Sequence, residues 1–323
     1  MITVICPVYN EQEYIENILK FFIESKPDDK ELILVDGGST DRTVEIITKW
    51  IEKHKNIRLM YNKNKYVPFA LNLAIKNSFG DPIIRLDAHT IYEKNYFEKI
   101  LETFEKTNAD IIGGPMRKIG SNDFQLAAAY ATSSLFGIGD SKIHKIDYSG
   151  ESDHVYLGAW RRNLFNEIGY FDERLLRNQD DEFHYRARSF GKKIYLSSEI
   201  ISYYYPRKTF RSLFKQYFEY GLFKPLVLRK IKSEIKVRHL IPALFSLYVI
   251  LLPILFLYNK FFLIPLLIYL IIDFIFTTQS RGNFKQKLFV LVMYPIIHFA
   301  YGFGSILGLA KIFNKKVFEK SYK

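Results

Sequence analysis

Apolar and polar positions change period several times along the chain, and each change marks an element. Ile2-Thr3-Val4-Ile5-Cys6-Pro7-Val8 is a nearly continuous apolar run stopped by Tyr9-Asn10-Glu11, the pattern of a strand buried on both faces. Tyr14, Ile15, Ile18, Leu19 and Phe22 then recur at helical spacing. Leu32-Ile33-Leu34-Val35 predicts a second buried strand, closed by Asp36-Gly37-Gly38-Ser39-Thr40-Asp41. A helix follows through Val44, Ile47, Trp50 and Ile51, with Thr40 or Asp41 as its N-cap. Residues 57–61 read as a third strand, and Val67-Pro68 opens a helix because proline suits a first turn. Residues 83–87 form a fourth strand after the breaker pair Asp81-Pro82, followed by a helix over 94–105 and a strand at 110–113. Strands alternating with helices of this length predict an α/β fold with a doubly wound, mainly parallel sheet.

From 115 to 154 the pattern loosens into polar, glycine-bearing loops around a small-residue helix near 124–134, and loops of that length on such a scaffold shape substrate pockets. Residues 156–160 return as a strand, 163–168 as a short helix, and 179–189 as a helix opening with Asp180-Asp181-Glu182. Two further strands are expected at 193–196 and 200–205. Pro206-Arg207 then leads into an amphipathic helix through Phe210, Leu213, Phe214, Tyr217, Phe218 and Leu222.

Past residue 239 the alternation gives way to long apolar runs. Residues 240–258 carry no charge and would extend about 28 Å as a helix, close to the thickness of a hydrocarbon core. Residues 261–278 and 288–310 are two further apolar stretches. The expected organisation is a catalytic domain over 1–222, a basic juxtamembrane segment over 223–239, a membrane region over 240–310 and a basic tail over 311–323. Pro295, His298 and three glycines in the last stretch favour a re-entrant or interfacial hairpin there, which would keep both basic segments on the cytoplasmic side.

The net charge of +12 sharpens this picture. From His239 onward nine Lys/Arg stand against Asp273 and Glu319, so most of the surplus flanks apolar segments. That placement suits anionic lipid head groups and argues against a nucleic-acid binder, whose basic residues would gather on one face of the folded domain. The lone cysteine, Cys6, lies inside the first apolar run and reads as a buried thiol. Met1 leads straight into a strand with no basic and apolar leader, so the catalytic part is expected in the cytoplasm.

Candidate chemistry centres on Arg85-Leu86-Asp87-Ala88-His89. In an extended segment residues i and i+2 point the same way, so Asp87 and His89 would converge at the carboxyl end of a strand, where open α/β sheets bind ligands. A carboxylate and an imidazole there suit a divalent cation carrying a phosphorylated substrate. Asp36 and the pair Asp180/Asp181 are further acids. Each alone would serve as a helix cap or solvated turn.

Taken together, Pro-Val-Tyr-Asn-Glu at 7–11, Asp-Gly-Gly-Ser-Thr-Asp at 36–41, Asp-Ala-His at 87–89 and Gln-Asp-Asp-Glu at 179–182 resemble an inverting family 2 glycosyltransferase. The resemblance covers about 1–222 and implies a GT-A fold, a Rossmann-like doubly wound sheet. Val67-Pro68-Phe69-Ala70-Leu71-Asn72 with Arg85 to Thr90 is similar to the membrane-attached branch that builds exopolysaccharide on a lipid carrier, the succinoglycan glucosyltransferases of the ExoA type.

The resemblance implies a nucleotide-sugar donor, with uracil as the base, and a polyprenyl-linked acceptor at the cytoplasmic membrane. Pro7, Tyr9 and Glu11 would line the nucleotide pocket, Asp36 would accept from the base, and Lys63 or Lys65 would touch the nucleotide. Asp87 and His89 stand where the family has Asp-x-Asp and would hold Mn²⁺ or Mg²⁺, the imidazole favouring Mn²⁺ more than an all-oxygen site would. Asp180, ahead of Asp181, would be the general base. His184, one turn beyond Asp180 on the same helix face, is expected to be a surface histidine, with tuning of that carboxylate or contact with the metal as the alternatives. Gly158, Trp160, Arg207, Lys208, Arg211 and Gln216 are expected at the acceptor or diphosphate. Gln216-Tyr217-Phe218-Glu219-Tyr220 departs from the Gln-x-x-Arg-Trp of processive synthases, which argues for transfer of a single sugar. Alternatives are direct transfer to a polyprenyl phosphate, as in dolichyl-phosphate-mannose-like synthases, and a non-catalytic sugar-nucleotide sensor.

Overall fold

The computed structural model describes residues 1–231 and 237–313. In chain order the first strands and helices are β1 (Ile2–Val8), α1 (Ile15–Glu24), β2 (Lys30–Asp36), α2 (Thr43–Ile51), β3 (Ile57–Tyr61), α3 (Val67–Lys76), β4 (Ile83–Arg85), β5 (Thr90–Tyr92), α4 (Tyr96–Thr107), β6 (Ile111–Gly114) and β7 (Arg117–Lys118). Then come α5 (Asp123–Ala131), α6 (Leu135–Ile138), β8 (Gly150–Glu151), β9 (Tyr156–Trp160), α7 (Asn163–Ile168), α8 (Gln179–Ser189), β10 (Ile194–Leu196) and β11 (Ser202–Tyr204). Four long helices follow: α9 (Phe210–Lys230), α10 (Val237–Tyr258), α11 (Ile264–Gln279) and α12 (Phe284–Phe313).

The chain divides into two compact units, one of residues 1–117 and 142–204, the other of 118–141 and 205–323. The first is built on an eight-stranded sheet in the order β3-β2-β1-β4-β9-β6-β10-β8. Strands β1 to β4 are parallel, with Val8 level with Asp36 and Asp36 level with Tyr61, so their carboxyl ends share one edge. The sheet is mixed, because β9 runs antiparallel between β4 and β6 and β8 runs antiparallel to β10. Apolar periodicity carries no strand direction, so these reversals left no trace in the sequence pattern.

Alternate residues of the apolar strands face opposite sides. Val4, Cys6, Leu32, Leu34 and Ile84 pack under α1, α2 and α4 through Ile18, Phe22, Ile47 and Phe97. Ile5, Ile33, Val35 and Ile83 pack on the other face under α3, α7 and α8 through Leu71, Phe165 and Phe183. A strand covered on both faces needs an apolar residue at every position, and this explains the unbroken runs.

In the second unit α12 packs along α9 by close backbone approach. A Cβ at Gly304 would lie 2.2 Å from the Phe218 carbonyl oxygen, and one at Gly221 would lie 2.0 Å from that of Tyr301. Small residues at such contacts let helices meet without an aqueous driving force. Residues 239–258, 260–279 and 284–310 are each long and apolar enough to cross a membrane. Few residues of the first two are fully buried, whereas close to half of those in the third are. The stretch 288–310 lies within the single helix α12, with Pro295 inside it, so the hairpin expected from the sequence is not formed. One proline removes one hydrogen bond, which the surrounding turns of a 30-residue helix tolerate. The basic tail lies outside the described residues from 314 onward, as do 232–236 of the juxtamembrane segment.

Candidate active site

Three loops meet at the carboxyl edge of β1 to β3. The β1–α1 loop is laced to the β2–α2 loop: Asn10 N donates to Ser39 Oγ at 2.9 Å, Thr40 N to Asn10 Oδ1 at 2.8 Å, and Glu11 N to Thr43 Oγ1 at 2.7 Å. Asp36 is 2 % exposed, and its carboxylate accepts from Gly38 N at 2.9 Å and Ser39 N at 3.1 Å. It therefore shapes the turn directly while keeping lone pairs for a ligand. Gly38 sits at φ +87, where glycine carries no Cβ penalty. Asn62 N donates to the Asp36 carbonyl at 2.8 Å and its Nδ2 donates to the Tyr66 carbonyl at 2.9 Å, which holds the exposed Lys63 and Lys65 against that turn. Tyr9 at the mouth is 53 % exposed, and Pro7 just inside it is half-buried.

The neighbouring end of β4 carries the acids. The strand stops at Arg85, and residues 87–90 form a turn closed by Thr90 N donating to the Asp87 carbonyl at 3.2 Å. Asp87 and His89 are therefore not i and i+2 of an extended segment, as the sequence suggested. Arg85 grips Asp87 with its Nε and Nη2 at 3.0 Å each. Burial works to lower the Arg85 pKa, but Asp87 and then Asp180 outweigh it and raise it, so this guanidinium lies within electrostatic reach of both carboxylates. Tyr156, whose pKa is pushed well up by burial and by Asp87, bonds Thr90 Oγ1 at 3.1 Å. Cys6, in β1, is fully buried. Burial raises its pKa most, with Asp87 and Glu11 adding to the effect.

His89 Nδ1 lies 3.2 Å from Glu11 Oε1. With Nδ1–H given to that carboxylate, the lone pair falls on Nε2, the arrangement a metal-ligating histidine uses. Among the described residues no three His, Cys, Asp or Glu groups are disposed to hold a metal ion. Mg²⁺ and Mn²⁺ sites that hold phosphorylated substrates commonly take one or two protein ligands and fill the shell with phosphate oxygens. Asp87 and His89 supply one carboxylate and one imidazole of the kind such a site uses.

Asp180 and Asp181 stand in the first turn of α8, and Asp180 Oδ1 accepts from Asp181 N at 3.0 Å. The loop before α8 is tied to α3 by Asn72, which is 4 % exposed and exchanges bonds of 2.9 and 3.0 Å with the Phe171 backbone. The two acids diverge. Asp180 acts on Arg85, whereas Asp181 Oδ1 lies 3.5 Å from His154 Nδ1. His154 bonds His184 Nδ1 to Nδ1 at 2.6 Å, and His184 is 1 % exposed, not a surface residue. Sequence reading passed over Arg85 as a functional group and missed His154 altogether. The signal for His184 was its i+4 spacing from Asp180; for His154, thirty positions upstream, there was none.

Trp160 is 1 % exposed, and its ring packs edge-on to Phe165 and Phe171. It is a core side chain, too enclosed for the acceptor contact that the sequence suggested. Gly158 lies against the same ring, 3.0 Å from where its Cβ would stand. In the second unit Arg207, Lys208 and Arg211 are exposed about the Thr209–Ser212 capping box that starts α9, and Gln216 Nε2 donates to Tyr220 Oη at 3.1 Å.

Comparison with known proteins bears on family and fold. The Glycosyl transferase family 2 pattern matches residues 3–169. Succinoglycan biosynthesis protein ExoA of Rhizobium meliloti is 32 % identical over 222 residues, 68 % of this chain and 67 % of that protein. A Methanococcus voltae dolichyl N-acetyl-alpha-D-glucosaminyl phosphate 3-beta-D-2,3-diacetamido-2,3-dideoxy-beta-D-glucuronosyltransferase is 28 % identical over 96 % of this chain and 97 % of its own. Among solved structures, the mannosyltransferase PcManGT from Pyrobaculum calidifontis, in complex with GDP-Man and Mn²⁺, aligns with TM-score 0.59 and 17 % identity over 96 % of this chain and 86 % of that one. S. aureus TarS 1-349 in complex with UDP-GlcNAc aligns with TM-score 0.52 and 17 % identity over 94 % and 90 %. These structural likenesses show the GT-A-like fold.

Proposed function

The chain belongs to glycosyltransferase family 2, and on that footing we propose that it transfers one sugar, with inversion, from a nucleotide-sugar to a lipid-linked acceptor at the cytoplasmic face of a membrane. The observation that carries this reading is Arg85, a guanidinium 12 % exposed with Asp87 on it and Asp180 within its field. It gathers the acid expected at the diphosphate and the acid expected at the acceptor around one positive charge.

Pro7, Tyr9, Asp36, Lys63 and Lys65 would take a nucleotide, UDP in our reading, with the lysines on its phosphates. Asp87 and His89 would hold a divalent cation, Mn²⁺ or Mg²⁺, which neutralises charge on the departing diphosphate. Glu11 would orient His89 in place of lining the nucleotide pocket. Asp180 takes the proton from the acceptor hydroxyl as its oxygen attacks the anomeric carbon. The bond to the diphosphate breaks on the opposite face, and the electron pair leaves with the nucleoside diphosphate. No covalent enzyme intermediate is needed.

The acceptor class is supported by the dolichyl phosphate-linked sugar in the name of the Methanococcus voltae relative and by the three apolar helices. With the first unit cytoplasmic and three crossings, nine Lys/Arg (six between 224 and 238, then Arg281, Lys285 and Lys287) would lie inside, against Lys260 and five in the tail. That is the expected bias. Arg207, Lys208 and Arg211 would face anionic head groups or the carrier's diphosphate. The test is Asp180→Asn in membranes: transfer should fall by about 10²–10⁴ with donor binding retained. Wild-type transfer by this variant would remove the assigned base.

A further inference from the structure

The His154–His184 pair has no place in the mechanism above, yet its bonding is unusually constrained. The rings meet edge-on, centroids 4.6 Å apart, with both Nδ1 atoms 2.6 Å from each other, so one must donate and the other accept. His184 Nε2 is buried and, among the described residues, has no hydrogen-bond partner. A proton there would be an orphaned donor, so the single proton of a neutral His184 belongs on Nδ1. His184 is held neutral: burial first, then His154, and more weakly Arg85, push its pKa well below the usual histidine value, against Asp181 and Asp153. His154 Nδ1 must then accept, and its own proton is forced onto Nε2. Among the described residues no hydrogen bond uses that nitrogen; the His154 side chain is 17 % exposed, and the 3.5 Å approach of Asp181 Oδ1 is to its Nδ1, not to Nε2.

We propose that His184 is a positioning residue that fixes the tautomer of His154, making His154 Nε2–H a standing hydrogen-bond donor to a hydroxyl oxygen of the bound saccharide. The use of that donor rests on the transferase reading; the tautomer itself does not. One bond of this kind discriminates a saccharide that offers the oxygen from one that lacks it.

The test uses the full chain, ¹⁵N-histidine-labelled in detergent micelles, with long-range ¹H–¹⁵N correlation spectra assigned by His154→Gln and His184→Gln. Expected are a protonated Nε2 and bare Nδ1 for His154 and the reverse for His184, with His184 unchanged between pH 6 and 8. A cationic or Nε2-protonated His184 at neutral pH overturns the proposal whatever the transfer assay shows. His154→Ala should raise KM about three- to tenfold for whichever saccharide the donor touches, acceptor or donor sugar, with kcat changed less. His154→Gln, which keeps an N–H, should recover part of the loss. Unchanged KM for both saccharides in a folded His154→Ala chain overturns the ligand role. Absence of transfer in the wild type with the predicted tautomers present would instead overturn the transferase reading.

Discussion

Replacing Arg85 by methionine should expose how much of the site one buried cation holds together. Two unit charges about 4 Å apart interact by about 4 kcal/mol in surroundings of intermediate dielectric. Removing one partner of a buried pair costs about 3–5 kcal/mol. Arg85 and Asp87 are 12 % and 22 % exposed, so partial screening brings the expected loss to or just below the lower end of that range, about 2–3 kcal/mol. For a unit of this size that is a drop of about 5–10 °C in Tm. Methionine keeps most of the aliphatic volume, which leaves charge as the main change. With the guanidinium gone, a divalent cation becomes the principal positive partner of Asp87. Millimolar Mn²⁺ should then restore part of the lost Tm in Arg85→Met and raise the wild-type value less, as ligand-linked stabilisation requires. Transfer should fall at least tenfold, and Arg85→Lys should lie between, because it keeps the charge and loses the fork. Thermal unfolding in detergent with and without Mn²⁺ reads the first two quantities. A folded Arg85→Met chain with the wild-type Tm and an identical Mn²⁺ response would refute the reasoning.

Glu31 offers a pH test away from the site. Burial works to raise its pKa, but bonds from Thr3 Oγ1 at 2.6 Å, Phe79 N at 2.7 Å and Arg58 Nη2 at 2.6 Å lower it overall. A depressed carboxylate contributes stability above its unfolded pKa and loses it as pH falls through the folded value. Glu31→Gln should therefore cost about 2 kcal/mol at pH 7 and converge on the wild type in unfolding curves taken below pH 4; an equal gap at both pH values would contradict the assignment. In the second unit, Gly304→Leu must drive α12 away from the Phe218 carbonyl, and should lower Tm by the equivalent of at least 1–3 kcal/mol or abolish recovery of folded protein. Wild-type stability of Gly304→Leu would mean that the two helices do not pack there.

The part of the fold that the chain announces is the part buried on two faces. Val4 to Cys6 and Leu32 to Val35 had to be strands because successive positions meet covering helices on opposite faces. The direction of β9 was invisible, since Tyr156 to Trp160 would read alike whichever way it ran. At the site, the turns carrying Asp36 and Asp87 were legible from turn residues following apolar runs, and the helix that opens with Asp180 was legible as a helix. What was not legible depends on single atoms. Asp87 and His89 sit in a turn because Thr90 reaches back to the Asp87 carbonyl, and Trp160 lies in the core because Phe165 and Phe171 surround it. His154 reaches His184 across 30 positions through packing that no local pattern encodes.

The most direct measurement of the central claim follows label from a panel of nucleotide sugars into the lipid extract of membranes containing this chain. One donor is expected to label lipid in the presence of Mn²⁺ or Mg²⁺, and Asp87→Ala with His89→Ala is expected to abolish the incorporation while the protein stays folded. Undiminished incorporation by that double variant would contradict the account.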